Sequence, residues 1–140
     1  MAEKDELLDG VSPETDELAS TLVGDALDLL AAGDPFCVLL AVQSSSGEVT
    51  SYEFEDDGTE VCLEAARAKV PQVPDALRYA IAYEGAVEAG DGGFADALLL
   101  EFGERGWRSY SAYSLVDGEG AGDGFTWTDP APAGEVPPLL

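Results

Sequence analysis

Histidine is absent from this 140-residue chain, and its absence excludes several kinds of chemistry. Without imidazole there is no serine–histidine pair, no histidine metal ligand and no general base of the commonest kind. Cysteine is almost as scarce: Cys37 and Cys62 fall in segments with the pattern of a buried strand and a helix. We expect buried thiols there, since a reactive thiolate or a metal site needs other surroundings. The sequence therefore predicts no catalytic residue, no cofactor and no metal.

Long apolar runs are missing too. No run approaches the roughly 18 apolar residues needed to cross a bilayer. The first ten residues, MAEKDELLDG, are acidic and lack the apolar core of a secretory signal. We therefore expect a cytoplasmic protein.

Positive charge is the third scarcity: six lysines and arginines face 29 acids, for a formal net charge of −23. Such a chain repels phosphate, so we expect it to bind neither nucleic acid nor an anionic membrane. Three interpretations of the charge stay open: a salt-adapted (halophilic) surface, an ordinary acidic surface, or a mimic of DNA phosphates. At molar salt the Debye length is about 3 Å, so the carboxylates of a salt-adapted protein barely repel one another.

The hydrophobic pattern predicts two helices and five strands. The first helix has Ser12 as N-cap, Pro13 at its first position and Gly33 just past its end. The apolar run 36–43 predicts a strand buried on both faces, and the alternation in 49–56 predicts a half-buried strand. The remaining segments are a helix at 58–70 and strands at 77–87, 96–103 and 107–116.

This α-ββ-α-βββ order predicts an α+β fold, in which two helices pack on a five-stranded antiparallel sheet. We expect the strand order 2-1-5-4-3, which places the apolar run 36–43 centrally. The predicted domain spans 12–117. It follows a flexible N-terminal arm, 1–11, and precedes a Gly- and Pro-rich acidic tail, 118–140.

The stretch GERGWRSY, 103–110, concentrates two of the six cations around Trp107. Gly106 in the left-handed region would form a bulged turn that pairs Phe102 with Arg108, whereas a tight two-residue turn would pair Phe102 with Trp107. The cations Arg105 and Arg108 either relieve local acid or belong to a partner site. Both interpretations stay open.

A candidate partner surface comes from small residues on one face of the strand 77–87. Ala80 and Ala82 would form a flat face, open to a partner if the helices cover only the other side of the sheet. A homodimer through this face is one hypothesis. With Arg105, Trp107 and Arg108, these residues are the predicted partner surface.

Residues 78–106 resemble a pattern found in small acidic prokaryotic proteins that have no assigned function. The matching positions are Tyr83-Glu84-Gly85, Asp96-Ala97 through Glu101, and Glu104-Arg105-Gly106. The resemblance assigns no role to any residue. The order of elements is also similar to that of roadblock/profilin-like domains, which implies a binding module by analogy of fold alone.

The leading hypothesis is a non-catalytic module that binds protein, including a second copy of itself. One alternative is a binder of a small cationic ligand, or an enzyme, that uses carboxylates and tyrosines; the tyrosines are Tyr79, Tyr83, Tyr110 and Tyr113. The other alternative is an inhibitor that mimics DNA. The sequence names no particular small-molecule ligand.

Overall fold

The computed structural model describes residues 7–34, 36–55, 58–88 and 92–140. It has two helices, α1 (Pro13–Ala32) and α2 (Thr59–Lys69). The strands are β1 (Val38–Ser44), β2 (Val49–Phe54), β3 (Ala76–Glu88), β4 (Phe94–Glu104), β5 (Ser109–Asp117), β6 (Thr126–Trp127) and β7 (Ala131–Val136). Two short 3-10 turns, Val70–Gln72 and Gly122–Gly124, complete the elements. The α+β class is confirmed. Residues 1–6 of the predicted arm, 1–11, lie outside the described residues.

The predicted strand count and strand order are both wrong. The described strands form one sheet of seven in the order β2-β1-β3-β4-β5-β6, and β7 also pairs with β5. The strand that borders β1 is therefore β3, not β5. Both orders keep the antiparallel hairpins β3–β4 and β4–β5, and they differ in which end of this three-strand unit pairs with β1. The free edge of β5 is taken by β6 and β7, which come from the segment predicted as a tail.

The two helices cover opposite faces of the sheet. On one face α1 packs over β1, β3 and β4, against a cluster that includes Leu39, Ala82 and Leu100. On the other face α2 packs over β1, against Leu40 and Ile81. Alternate residues of β1 thus enter two different cores, which explains its continuous apolar run and confirms the prediction of a strand buried on both sides.

The ends of α1 form as the sequence predicts. The Ser12 hydroxyl accepts a hydrogen bond from the Thr15 backbone N–H at 3.1 Å, and Gly33 adopts φ 76° just beyond the last turn. A Cβ at Gly33 would lie 3.1 Å from the Gly120 Cα. A side chain at Gly33 would therefore be strained by the left-handed backbone and would crowd the backbone of Gly120. The start of α1 is therefore fixed by a local cap, while its end combines the local Gly33 turn with a hydrogen bond from the Gly120 N–H to the Leu30 carbonyl.

The last residues of the chain fold back onto the domain. β7 pairs with β5 over 109–113, and Leu139 and Leu140 pack beside α2 against the core of that face. Neither helix in the described part of the chain has the length and apolarity needed to span a bilayer.

Candidate binding site

An open groove lies between α1 and the strands at the β7 edge of the sheet. One wall is a stripe of α1 at helical spacing, the floor is built by β4 and β5, and the far wall is the segment that leads into β7. The volume is about 470 Å³, and the lining residues are Val11, Asp16, Ala19, Ser20, Val23, Leu100, Phe102, Tyr110, Ser111, Ala112, Pro130, Ala131 and Pro132.

The register of the strands explains why these side chains share one space. Leu100 pairs with Ala112, which pairs with Pro132, so these three side chains point to the face that α1 covers. The helix lies mainly over β1, β3 and β4, while β5 and β7 extend beyond it. Small side chains at Ala19 and Ala112 leave the gap between helix and sheet unfilled.

The groove is apolar with three polar side-chain groups that the register or the helical spacing directs toward it. Asp16 supplies a carboxylate, Ser20 a hydroxyl and Tyr110 a phenol that accepts a hydrogen bond from the Gly10 N–H at 3.0 Å. Pockets of this kind bind a largely apolar group and fix its orientation through a few polar contacts. Asp16 would favour a positively charged group at the mouth.

The predicted residues Arg105 and Trp107 tie parts of the chain together. The Arg105 guanidinium donates to the backbone carbonyl of Ala76. Trp107 forms a parallel bridge with Leu8: the Leu8 N–H donates to the Gly106 carbonyl at 3.0 Å, and the Arg108 N–H donates to the Leu8 carbonyl at 2.9 Å. The hairpin tip therefore docks the N-terminal arm.

Both registers expected for the hairpin are wrong. Phe102 pairs with Tyr110, two residues beyond the partner given by the bulged turn. Gly106 adopts the predicted left-handed conformation, with φ 84°. The backbone on either side of Trp107 is bonded to Leu8 instead of continuing the β4 ladder, so the turn is wider. A shift of two residues preserves the faces, which is why Phe102 and Tyr110 both reach the groove.

Arg108 joins the arm to β7. Its Nε lies 2.7 Å from Asp9 Oδ1, and its Nη1 lies 2.9 Å from Glu135 Oε2. The hydrogen bond and charge of Glu135, followed by those of Asp9, raise the pKa of Arg108. Because Glu135 pairs across the sheet with Tyr110, this contact lies beside the groove.

Ala80 and Ala82 are not on an open face. They are 1% and 0% exposed and lie beneath α1, in the same cluster as Leu98 and Leu100. The expectation of an uncovered small-residue face is wrong because the two helices take opposite sides of the sheet. The homodimer surface built on these alanines is thus unavailable to a partner.

The other cations of the described chain are also engaged internally. Arg67 pairs with Glu101, and Arg78 Nε lies 3.2 Å from Glu104 Oε1. The Lys69 ammonium lies 5.2 Å from the centroid of the Tyr52 ring. Of the six cations in the sequence, Lys4 lies outside the described residues, and each of the other five has such an internal contact.

The tyrosines of β3 belong to buried hydrogen-bond networks. Tyr79 donates to the Ser109 hydroxyl at 2.9 Å, and Tyr83 donates to Glu101 at 3.2 Å. Burial, followed by the charge of Glu101, raises the pKa of Tyr83 to about 12. These phenols are therefore held as neutral structural donors. Tyr110 is the tyrosine whose side chain the register directs into the groove.

The acids Glu84, Asp96 and Glu119 lie near one another, toward the end of β3 and the start of β4 and away from the groove. Burial, then a hydrogen bond with Glu119 and the charges of Glu119 and Asp96, raise the pKa of Glu84 to about 7. Over 7–34, 36–55, 58–88 and 92–140, no three acids or cysteines are arranged to hold a metal ion. Cys37 and Cys62 remain thiols and form no disulfide.

Sequence reasoning missed the groove itself. The available signal was the pair Ala19 and Val23, which lie one position beside the main apolar stripe of α1 and widen it. The strand β7 gave no such signal, because Val136 is the one strong β-former among its six residues and Pro132 and Gly134 interrupt it.

Comparisons with known proteins suggest no family and no function for this chain. No protein-family model, no curated protein sequence and no solved structure matches this chain.

Proposed function

We propose that this protein is a non-catalytic binding module that recognises a positively charged protein. The proposal is supported by the contacts of the described cations, each of which binds a carboxylate, a carbonyl or an aromatic ring of this same chain. These cations are Arg67, Lys69, Arg78, Arg105 and Arg108. With these groups occupied, the charge left for a partner is overwhelmingly carboxylate. The partner that complements it is basic.

Electrostatics also argues against the other partner classes. Two copies with a net charge of −23 each repel one another, and phosphate polymers are repelled for the same reason. A basic protein is instead drawn toward the surface, and such steering raises association rates at low salt. Binding of a different, basic protein is therefore favoured over association of two copies of this chain.

The experiment varies charge while apolar content stays constant. Three synthetic peptides of equal length would combine leucine with lysine, with glutamine or with glutamate, and binding would be measured by calorimetry in about 150 mM salt. We expect the Leu/Lys peptide to bind at least about tenfold tighter than the Leu/Gln peptide, with affinity that falls as salt rises. Equal affinities for the three peptides, or none, would contradict the proposal.

A small cationic amphiphile is the second candidate, because the groove volume of about 470 Å³ falls within the range of small-molecule sites. Native mass spectrometry of the purified protein distinguishes the two. A bound mass of a few hundred daltons, lost on denaturation, would favour the small ligand.

A further inference from the structure

We infer that the groove between α1 and β5 receives apolar side chains of the basic partner, next to a lysine or arginine that pairs with Asp16. This inference rests on the proposed function and adds the place and the chemistry of recognition. The groove combines an apolar floor with a charged side chain at its edge, as binding sites that fix orientation through a few polar groups do.

The floor packs closely in the core cluster beneath α1. Leu100 and Ala112 are 3% and 8% exposed, and α1 is anchored at its N-cap by Ser12. A site built on a helix and strands needs little reorganisation on binding, so less affinity is lost to ordering.

The length of the groove limits what fits inside. From Asp16 to Val23 the helix rises about 10 Å, which matches about three residues of extended chain or two turns of helix. Two or three apolar side chains therefore fill the groove, and the remainder of the partner lies outside against the acidic surface.

The rim selects a positively charged neighbour for those apolar side chains. Asp16 is the one carboxylate among the described residues that line the groove, and no cation lines it. Beside the groove Arg108 pairs with both Asp9 and Glu135, so that cluster of three groups keeps one negative charge in excess. A second copy of this chain would bring the same excess, so it is not the occupant.

The test uses two charge-matched peptides, one of leucine and lysine and one of serine and lysine, against matched protein variants. Ser20→Trp places a ring at the groove mouth from an exposed position, whereas Thr21→Trp places it on the same helix outside the groove. Asp16→Asn removes the rim charge, and Glu17→Gln removes the neighbouring charge that does not line the groove. Circular dichroism verifies that each variant is folded.

We expect the Leu/Lys peptide to bind at least about tenfold tighter than the Ser/Lys peptide. Ser20→Trp should abolish that advantage and Asp16→Asn should weaken binding about threefold, while Thr21→Trp and Glu17→Gln change affinity less than twofold. Equal binding of both lysine peptides, unaffected by Ser20→Trp, would overturn the groove but leave a charge-driven module. If a Leu/Glu peptide binds as tightly as Leu/Lys, the proposed function and the groove assignment both fail. A co-purifying small molecule, or a dimer that Ser20→Trp dissociates, would also overturn the assignment.

Discussion

Arg67 on α2 donates hydrogen bonds to both carboxylate oxygens of Glu101 on β4, and Tyr83 donates a third hydrogen bond to the same carboxylate. The Nε–Oε1 distance is 3.0 Å, and the Glu101 side chain is 5% exposed. This pair fixes α2 to a strand that the helix does not otherwise cover. A buried carboxylate held in this way is strongly destabilising once its partner is removed.

Removing Arg67 tests that statement directly. We expect Arg67→Ala to lower the free energy of unfolding by about 2 kcal/mol; the value is moderate because the Arg67 side chain is 40% exposed and water screens the pair. Urea titration gives the measurement. Lys69→Ala, which removes a cation on the same helix, should cost about 0.5 kcal/mol. The double change Arg67→Ala with Glu101→Leu should recover most of the loss, and no recovery would refute the buried-charge explanation.

The acids around Glu84 predict how stability depends on pH. Its pKa is raised to about 7, so the folded state binds a proton more tightly than the unfolded state between about pH 4.5 and 7. Stability from this group is therefore present at low pH and is lost as pH rises through 7. Glu104 acts in the opposite sense: hydrogen bonds from Ser12, Thr15 and Arg78 outweigh the effect of burial and lower its pKa.

Glu84→Gln isolates the first effect. We expect the decline in thermal midpoint between about pH 4.5 and 7 to become smaller in this variant, because no buried carboxyl then has to ionise beside Glu119 and Asp96. Glu53→Gln, on an exposed position of β2, serves as the control and should keep the decline. An unchanged pH profile in Glu84→Gln would remove Glu84 as its source.

Two glycines should respond to alanine in opposite ways. A Cβ at Gly103 would overlap the Ser109 hydroxyl and lie 3.1 Å from Tyr79 Cε1, so Gly103→Ala should cost more than about 2 kcal/mol. A Cβ at Gly24 on α1 meets nothing within 4 Å, so Gly24→Ala should stabilise by about 0.5–1 kcal/mol. Chemical denaturation of both variants checks the pair. Similar values for the two changes would be incompatible with the packing around Gly103.

Salt should stabilise the protein if the acidic surface is an adaptation to it. We expect the thermal midpoint to rise by more than about 5 °C between 0.1 and 2 M KCl, since screening weakens repulsion among the surface carboxylates. Glycine betaine at equal osmolality controls for general solute effects. A flat response to KCl would discard the salt-adapted interpretation and leave the proposed recognition of a basic partner unaffected.

Local features of the fold were predictable because the sequence encodes them within a few residues. The cap at Ser12, the stop at Gly33 and the left-handed Gly106 are all observed. The strand order was not predictable, because α+β patterns of this kind admit several arrangements of the same elements. The choice between these arrangements depends on which strand covers the free edge of β5. That strand is β7, and its sequence does not look like a strand, because it contains Pro132 and Gly134 and a single strong β-former, Val136.

The candidate site was less accessible from the sequence for a related reason. Ala80 and Ala82 look like an open face only until α1 is placed on it, and the helix faces are set by tertiary packing. The tip of the hairpin is bonded to Leu8, about one hundred residues away, through the backbone of Gly106 and Arg108. Long-range hydrogen bonds of this kind leave no trace in local periodicity.

The internal engagement of the cations has a consequence for proteolysis. Trypsin cleaves after lysine and arginine, and in the described chain those residues lie in α2, in β3 or in the hairpin that Leu8 pins. Arg67, Lys69 and Arg78 lie in regular secondary structure, so cleavage after them requires the chain to open locally, whereas Arg105 is exposed in the turn of the hairpin. A protease specific for glutamate would find exposed sites outside the helices and strands, such as Glu48 and Glu119.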